Sequence, residues 1–366
     1  MKKKRFLISG GGTGGHIFPA LAIAKEIERR YPESSLLFVG ASDRMEMEKI
    51  PAEGYSIKGL WISGFQRSLS LKNLLVPIKL IFSVLRSFFI VLRFKPNVVI
   101  GTGGYASGPV LWAASLLKIP TLIQEQNSYP GITNTILSSK VNQICVAYSG
   151  LEKFFPKEKI HLTGNPIRAE IEFGEYNRDE VLNSYGLVND KPVVLVIGGS
   201  LGSKRINETV FENISWFEEN GVQLIWQTGS LYYERCEPAQ VDLGKSGKIQ
   251  AFITEMGAAL VAADVVISRA GAIALSELCS LGKTCILVPS PNVAEDHQKK
   301  NALALSESGA AILVEENNMD TQLFAALDLL MKDVDKQKQL AANCKKMYKL
   351  KAAERIVDII EELSND

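Results

Sequence analysis

Short apolar runs of four to seven residues alternate with longer stretches whose apolar positions recur every three to four residues, from one end of the chain to the other. Runs of the first kind are too short for helices and read as strands buried on both faces; the second kind reads as helices covering them. The pattern places strands near 4–9, 35–40, 97–102, 120–125 and 143–148, and again near 192–198, 222–228, 249–253, 264–268 and 284–289. Strand and helix in strict alternation give parallel sheets with crossover helices, so the predicted fold class is α/β. Thr163-Gly164-Asn165-Pro166 breaks the pattern between the two sets and is the expected hinge. Ile356, Ile359, Ile360 and Leu363 then fall on one face of a closing amphipathic helix. The expected division is residues 1–165, 166–345 and a tail, 346–366, that packs back on the first domain.

Size and composition agree with this division. At 366 residues the chain exceeds one ordinary core, and with 46% hydrophobic and 22% charged residues it is globular. Met1-Lys2-Lys3-Lys4-Arg5 looks like the basic start of a signal peptide, but only three apolar residues separate it from Ser9. It reads as the lead into the first strand. Five cysteines in no metal-type spacing suit a reducing compartment.

Charge changes the picture more, because a net charge of +1 conceals two opposed halves. Residues 1–167 carry 21 Lys and Arg against 10 Asp and Glu, whereas the remainder carries 20 against 30. No acidic residue stands between Glu53 and Glu125. A surface of that sign faces something anionic. Within it Lys72, Lys79, Arg86 and Arg93 repeat every seven residues, forming one stripe on a helix, among Leu74, Ile78, Ile81, Leu85, Phe88 and Phe89. Two readings stand, a buried crossover helix whose basic stems reach out to water and an apolar patch ringed by cations that dips into an anionic leaflet, and both hold if one face packs inward while another meets lipid. The residues assigned to the second are Leu74, Ile78, Lys79, Ile81, Leu85 and Arg86.

Candidate chemistry lies in three glycine clusters, each directly after a predicted strand. They are Ser9-Gly10-Gly11-Gly12-Thr13-Gly14-Gly15-His16, Gly101-Thr102-Gly103-Gly104-Tyr105-Ala106-Ser107-Gly108-Pro109 and Gly198-Gly199-Ser200-Leu201-Gly202-Ser203. Glycines let backbone N–H groups approach an anion, and the following helix directs its positive end to the same place. Each half is therefore Rossmann-like, and a ligand cleft is expected where the two sheets face each other. Gly10-x-Gly12-x-x-Gly15 also matches the dinucleotide fingerprint, yet no acidic side chain closes strand two, where Phe38-Val39-Gly40-Ala41-Ser42 stands. An NAD(P) enzyme is disfavoured, and no cofactor is expected.

Further motifs carry a family resemblance. Gly10 to Ala20, Gly103 to Pro109, Glu125-Gln126-Asn127 with Pro130-Gly131-Ile132-Thr133-Asn134, Gly164 to Arg168, Arg269-Ala270-Gly271-Ala272 with Ser276-Glu277, and His297-Gln298 with Asn301-Ala302 together resemble the bacterial MurG family. The likeness runs in order from about residue 4 to 310. It implies a GT-B fold and an inverting hexosyltransferase that moves N-acetylglucosamine from UDP-GlcNAc to the 4-hydroxyl of MurNAc in lipid I, making lipid II for peptidoglycan. It further implies a peripheral enzyme on the cytoplasmic face of the bacterial inner membrane, with cell-wall synthesis and division proteins as neighbours and roles in cell shape and the cell cycle. No nucleic-acid partner is expected.

Carried over by motif, Arg168, Ser200, Ile253, Ala272, Ile273, Ala274, Leu275, Ser276, Glu277 and Gln298 would contact the donor, joined by Thr13, Gly14, Gly15 and Asn127. Gly12, Thr13, Gly103, Gly104, Tyr105 and Ser107 would hold the acceptor diphosphate. Glu277 suits the ribose hydroxyls, and the Ile253 backbone the uracil edge. Taken singly, Arg168 and Glu277 read equally well as surface ion pairs, Ser200 as a helix cap and Asn127 as a turn former. Gln124, Leu201 and Ser203 depart from the family pattern, which has His, Gln and Ala there, and the Leu201 change removes a polar group from the second-half loop. Asp333-Val334-Asp335 is the one Asp-x-Asp spacing; read as helix, it points its two carboxylates apart, so metal-independent transfer is expected. His16 is the candidate general base, the alternative being that it binds phosphate or braces its loop. His161 reads as structural and His297 as lining the donor pocket. The rival readings are a UDP-GlcNAc 2-epimerase and a non-catalytic scaffold that binds nucleotide sugar.

Overall fold

The structure, a computed structural model, describes residues 3–64, 75–199, 201–293 and 296–365. Leu74, Ser200 and Lys72, singled out above, lie outside the described residues. The chain divides into two compact units, Met1–Arg168 with Lys349–Asp366, and Ala169–Tyr348.

The first unit is a seven-stranded parallel sheet of β1 (Arg5–Gly10), β2 (Ser35–Ala41), β3 (Ile57–Leu60), β4 (Val98–Gly103), β5 (Thr121–Glu125), β6 (Gln143–Val146) and β7 (Ile160–Leu162), in the order β3-β2-β1-β4-β5-β6-β7. Successive side chains of a strand point to opposite faces, which sorts the core into two layers. Phe6, Ile8, Phe38, Val98, Ile100 and Leu122 meet Ile17, Ala20, Ile23 and Ile27 of helix α1 (Gly14–Arg30). Leu7, Val39, Val99, Ile123 and Ile144 meet Val91, Val110 and Leu111 on the other side. The closing helix, Ala352–Asn365, adds Ile356, Val357 and Ile360 to the α1 layer, and Arg30 bonds Asp358 and the Glu354 carbonyl across it.

The second unit is a six-stranded parallel sheet of β8 (Val193–Ile197), β9 (Gln223–Gln227), β10 (Gly247–Gln250), β11 (Val265–Ser268), β12 (Thr284–Leu287) and β13 (Ile312–Leu313), ordered β10-β9-β8-β11-β12-β13. Trp226 is fully buried at its centre, with the indole N–H donated to Asn207.

Four expectations need correction. Strands β3, β7 and β13 have no counterpart among the ten runs placed above because four, three and two residues give no usable alternation. Strand β10 ends at Gln250 instead of running to 253, since Ala251 onward turns away to carry Ile253. The chain changes units after Arg168, just past Thr163–Pro166 and not at 165, and Asn165 is buried, accepting from Gln124 Nε2 and donating to the Gln126 carbonyl. Asp333 is not a helix-interior residue. It is the N-cap of the helix Val334–Met347, its carboxylate accepting from the Lys336 N–H at 2.8 Å.

Helix α3 (Val76–Phe94), which follows α2 (Glu46–Ala52), turns serine inward and bulk outward. Ser83 and Ser87 are buried and bond the carbonyls of Trp61 and Ser83, while Ile78, Ile81, Phe82, Leu85, Phe89 and Leu92 are exposed. Among the described residues no helix is long and apolar enough to cross a membrane.

Candidate active site

In each sheet the strand order reverses direction beside the unit's first strand, between β1 and β4 and between β8 and β11. Loops leaving the carboxyl ends of those strands diverge, and the opening between them is where an α/β sheet takes its ligand. The three glycine clusters leave these ends.

In the first unit the loops after β1 and β4 interlock. The Gly11 N–H donates to the Gly103 carbonyl at 3.3 Å, and Thr102 Oγ1 donates to the His16 carbonyl at 2.8 Å. Gly103 and Gly104 have φ of +99° and +85°, and a Cβ on Gly104 would stand 2.3 Å from the Gly11 carbonyl oxygen. Glycine is required there for both reasons. Thr13 is the extended N-cap of α1, and Gly14 and Gly15 open the helix. Helix α4 (Ser107–Leu116) begins on the other loop.

His16 Nδ1 lies 2.8 Å from the Gly11 carbonyl oxygen. A carbonyl only accepts, so in the neutral ring the proton sits on Nδ1 and the lone pair on Nε2. The ring lies flat enough against the neighbouring loop that a Cβ at Gly103 would meet Nε2 at 2.9 Å.

Two residues assigned to the acceptor diphosphate are spoken for. Ser107 is fully buried, its hydroxyl held by the carbonyls of Ser9 at 2.7 Å and Gly103 at 2.9 Å. The Gly12 N–H donates to Glu46 Oε2 at 2.8 Å. Both groups brace the loops. Tyr105, half exposed, rests its ring on Gly64, and Lys79 donates to Ser63 and lies over the Trp61 ring at 5.3 Å.

Asn127 is held by Glu125, which also organises the start of α5 (Ile132–Leu137). The buried Glu125 carboxylate accepts from the Asn127 N–H and Nδ2, each at 3.0 Å, from the Gly131 N–H at 3.1 Å and from Asn134 Nδ2 at 2.8 Å. Arg168 belongs to the same unit, its guanidinium 5.9 Å from the Phe18 ring centre. His161 lies in β7 and meets Gln143 at 2.8 Å.

In the second unit the loop after β8 turns through Gly199 and Gly202, with φ of +87° and +81°. Gln227, buried at the end of β9, ties it down: Nε2 donates to the Gly199 carbonyl at 3.1 Å and Oε1 accepts the Ile253 N–H at 2.9 Å. The Ile253 amide N–H is thereby used. Arg269 reaches Ser203 Oγ, pairs with Glu316 and donates to the Val288 and Pro289 carbonyls. Ser203 caps the helix Lys204–Glu212. Ala272 to Glu277 form the first turns of the helix Ala272–Leu281, with Glu277 buried rather than a surface ion pair, and Ser276 bonds back to the Ala272 carbonyl. Gln298 Oε1 accepts from the Ser290 and Ala270 N–H groups, beside His297, which opens the helix His297–Glu307. Glu46 and Gln227 were missed by sequence reasoning. A strand-end glutamine is a faint signal; Glu46 in Met45-Glu46-Met47-Glu48 gives none.

Two Rossmann-like units, each with a glycine loop and a helix start at its switch point, make the GT-B class of fold, which serves more than one sugar-nucleotide chemistry. Comparison with known proteins places the chain further. Residues 6–146 match the glycosyltransferase family 28 N-terminal domain and 193–356 its C-terminal domain. The chain is 50% identical over 364 residues to the UDP-N-acetylglucosamine--N-acetylmuramyl-(pentapeptide) pyrophosphoryl-undecaprenol N-acetylglucosamine transferase of Flavobacterium psychrophilum, covering 99% of this chain and 98% of that one. It is 51% identical over 363 residues to the enzyme of the same name from Porphyromonas gingivalis, covering 99% and 96%. The crystal structure of Acinetobacter baumannii MurG matches with a TM-score of 0.78 at 28% identity over 98% and 99% of the two chains. The chain belongs to the MurG family. A solved UDP-N-acetylglucosamine 2-epimerase, 15% identical with a TM-score of 0.64 over 97% of this chain and 95% of its own, shares the fold alone.

Proposed function

We propose that the protein transfers N-acetylglucosamine from UDP-GlcNAc to the 4-hydroxyl of MurNAc in undecaprenyl-pyrophosphoryl-MurNAc-pentapeptide, giving lipid II. The observation that carries this reading is identity of about half, end to end, with transferases of that name. The second unit takes the donor, with Glu277 accepting from the ribose, the Ile253 carbonyl meeting the base, and the loop Gly198–Ser203 and the helix starts facing the diphosphate. The first unit takes the acceptor. The 4-hydroxyl attacks the anomeric carbon as the bond to UDP breaks, inverting the centre, and its proton passes to His16 Nε2. The Gly11 carbonyl holds the ring in the tautomer that this step needs. Charge developing on UDP is met by preorganised N–H groups, an arrangement able to contribute several kcal/mol.

The outward face of α3, with Trp61, Lys79 and Arg86 beside it, is read as the surface that lies on the anionic cytoplasmic leaflet where the lipid-linked acceptor resides. The helix is also the crossover from β3 to β4, burying Val76, Ile90 and Val91 on its inner face; the phenylalanines it exposes on the opposite face support the membrane reading beside that role, since water alone would select polar residues there.

Transfer of radiolabelled GlcNAc from UDP-GlcNAc to a short-chain lipid I analogue, with EDTA present and a no-acceptor control, tests the proposal. Label in the lipid-linked product supports it and metal independence together. Donor binding without transfer overturns it in favour of an epimerase or scaffold.

A further inference from the structure

Glu46 is fully buried at the first turn of α2, with nothing in the proposed reaction calling for a carboxylate there. Burying a charge is costly unless its oxygens are met, and here both are. Oε1 accepts the Ala41 N–H at 2.9 Å and Oε2 the Gly12 N–H at 2.8 Å, so the group acts purely as an acceptor. The surrounding glycines are shaped to it. A Cβ at Gly11 would stand 2.1 Å from Oε1, and one at Gly40 would stand 2.5 Å from Glu46 Cγ.

The Gly12 N–H and the Gly11 carbonyl belong to one planar peptide group. Glu46 takes its N–H end, and His16 Nδ1 donates to its C=O end at 2.8 Å. Carboxylate, peptide and imidazole therefore form a single hydrogen-bonded chain. A negative charge on the N–H side polarises the peptide and makes its carbonyl a better acceptor, and chains of this kind strengthen one another in a low-dielectric interior. Orientation follows as well: Gly12 has φ of +85° and no side chain to fix it, so the peptide plane is set by the groups at its two ends.

From this geometry we infer that Glu46 is the positioning residue for His16, acting through the Gly11–Gly12 peptide: it fixes the Nδ1–H tautomer and supports the imidazolium formed when Nε2 takes the acceptor proton. The same bond removes the Gly12 N–H from the anion cradle and sets a carboxylate behind it, so the front of this loop serves proton transfer and the acceptor diphosphate is left to Thr13 and the neighbouring loop. The inference rests on the proposed role of His16 as base.

The test is a double-mutant cycle on the full chain with a lipid I analogue. Glu46→Gln, which keeps size but puts an amide donor against a backbone donor, is expected to lower kcat about 10- to 100-fold, as lost support of a working histidine does elsewhere, with KM for UDP-GlcNAc unchanged. His16→Ala is expected to lower kcat by about 100-fold or more. If Glu46 works through His16, the double variant is no slower than His16→Ala alone within about threefold; losses that multiply overturn the inference while leaving the base intact. His16→Ala within tenfold of the parent removes the base, and the inference with it. Tautomer is read separately from the nitrogen-15 spectrum of the imidazoles, with only three histidines to assign. Nδ1–H in the parent and a gain of Nε2–H in Glu46→Gln support the inference, and an unchanged tautomer overturns it. Should Glu46→Gln not fold, Glu46→Asp, which keeps the charge one methylene short, carries the same cycle and the same spectrum.

Discussion

Replacing Phe82 and Phe89 of α3 together by serine separates membrane seating from folding. Their side chains are 58% and 69% exposed respectively, and Phe82 leans on Trp61 at 6.4 Å between ring centres. An aromatic side chain presents about 150–250 Å², so roughly 100–150 Å² of each stands in water. At about 25 cal/mol per Å², withdrawing one ring fully into lipid contributes about 3 kcal/mol. Both rings give about 6 kcal/mol if they leave water completely and about half that if only one side of each does. The lower figure still corresponds to partitioning weakened at least about 50-fold. Because these rings cover no core, stability should change by no more than about 0.5 kcal/mol. Cosedimentation with phosphatidylglycerol-containing vesicles, alongside a denaturant melt, reads both quantities. Arg86→Gln is the companion, expected to cost about 1 kcal/mol at low salt and to flatten the salt dependence. A serine double variant that binds vesicles as well as the parent, or a parent that ignores them at low salt, refutes the reading of α3. A double variant that loses several kcal/mol of stability shows instead that the face packs in solution.

Three further outcomes follow from contacts in the second unit. Gln227→Ala leaves the Gly199 carbonyl and the Ile253 N–H without their bridge, and should cost about 2–4 kcal/mol of unfolding free energy and weaken UDP binding measured by calorimetry; undiminished UDP affinity would show that the bridge does not shape the donor site. Glu277→Ala should raise the dissociation constant for UDP at least tenfold while leaving that for uracil unchanged, and equal losses for both would place Glu277 away from the ribose. Lys283 donates to the Ala263 and Val261 carbonyls, and its burial lowers its pKa from 10.5 to about 8. Between about pH 8 and 10.5 the unfolded chain binds the extra proton, so stability should rise with pH across that window, by about 3 kcal/mol at most. Lys283→Met should abolish the rise; an identical pH profile in the variant would put its origin in other groups.

How far each of these features could be read from the chain depends on the range of the interaction that makes it. Strand and helix alternation, the three glycine loops and the amphipathic tail are properties of residues within a few positions of one another, so periodicity and local conformational preference reveal them. The motif set likewise carried the family from order and spacing alone. Sheet order lies beyond that range, and with it the meeting of the loops after β1 and β4 that locks Gly104 over the Gly11 carbonyl. So does the gathering of Cys279 and Cys344, which stand 65 positions apart yet bring their sulfurs within 3.5 Å. The α3 sequence is apolar on nearly every side, which left its buried face undecided until Ser83 found the Trp61 carbonyl. Glu46 is the sharpest case. In a run of alternating Met and Glu it looks like any solvated helix residue, and only the parallel pairing of β1 with β2 places the Gly12 N–H, 34 positions away in sequence, against its carboxylate. Local order was written locally; the burial of a charge depends on which distant donors the sheet delivers to it, and that is a tertiary fact.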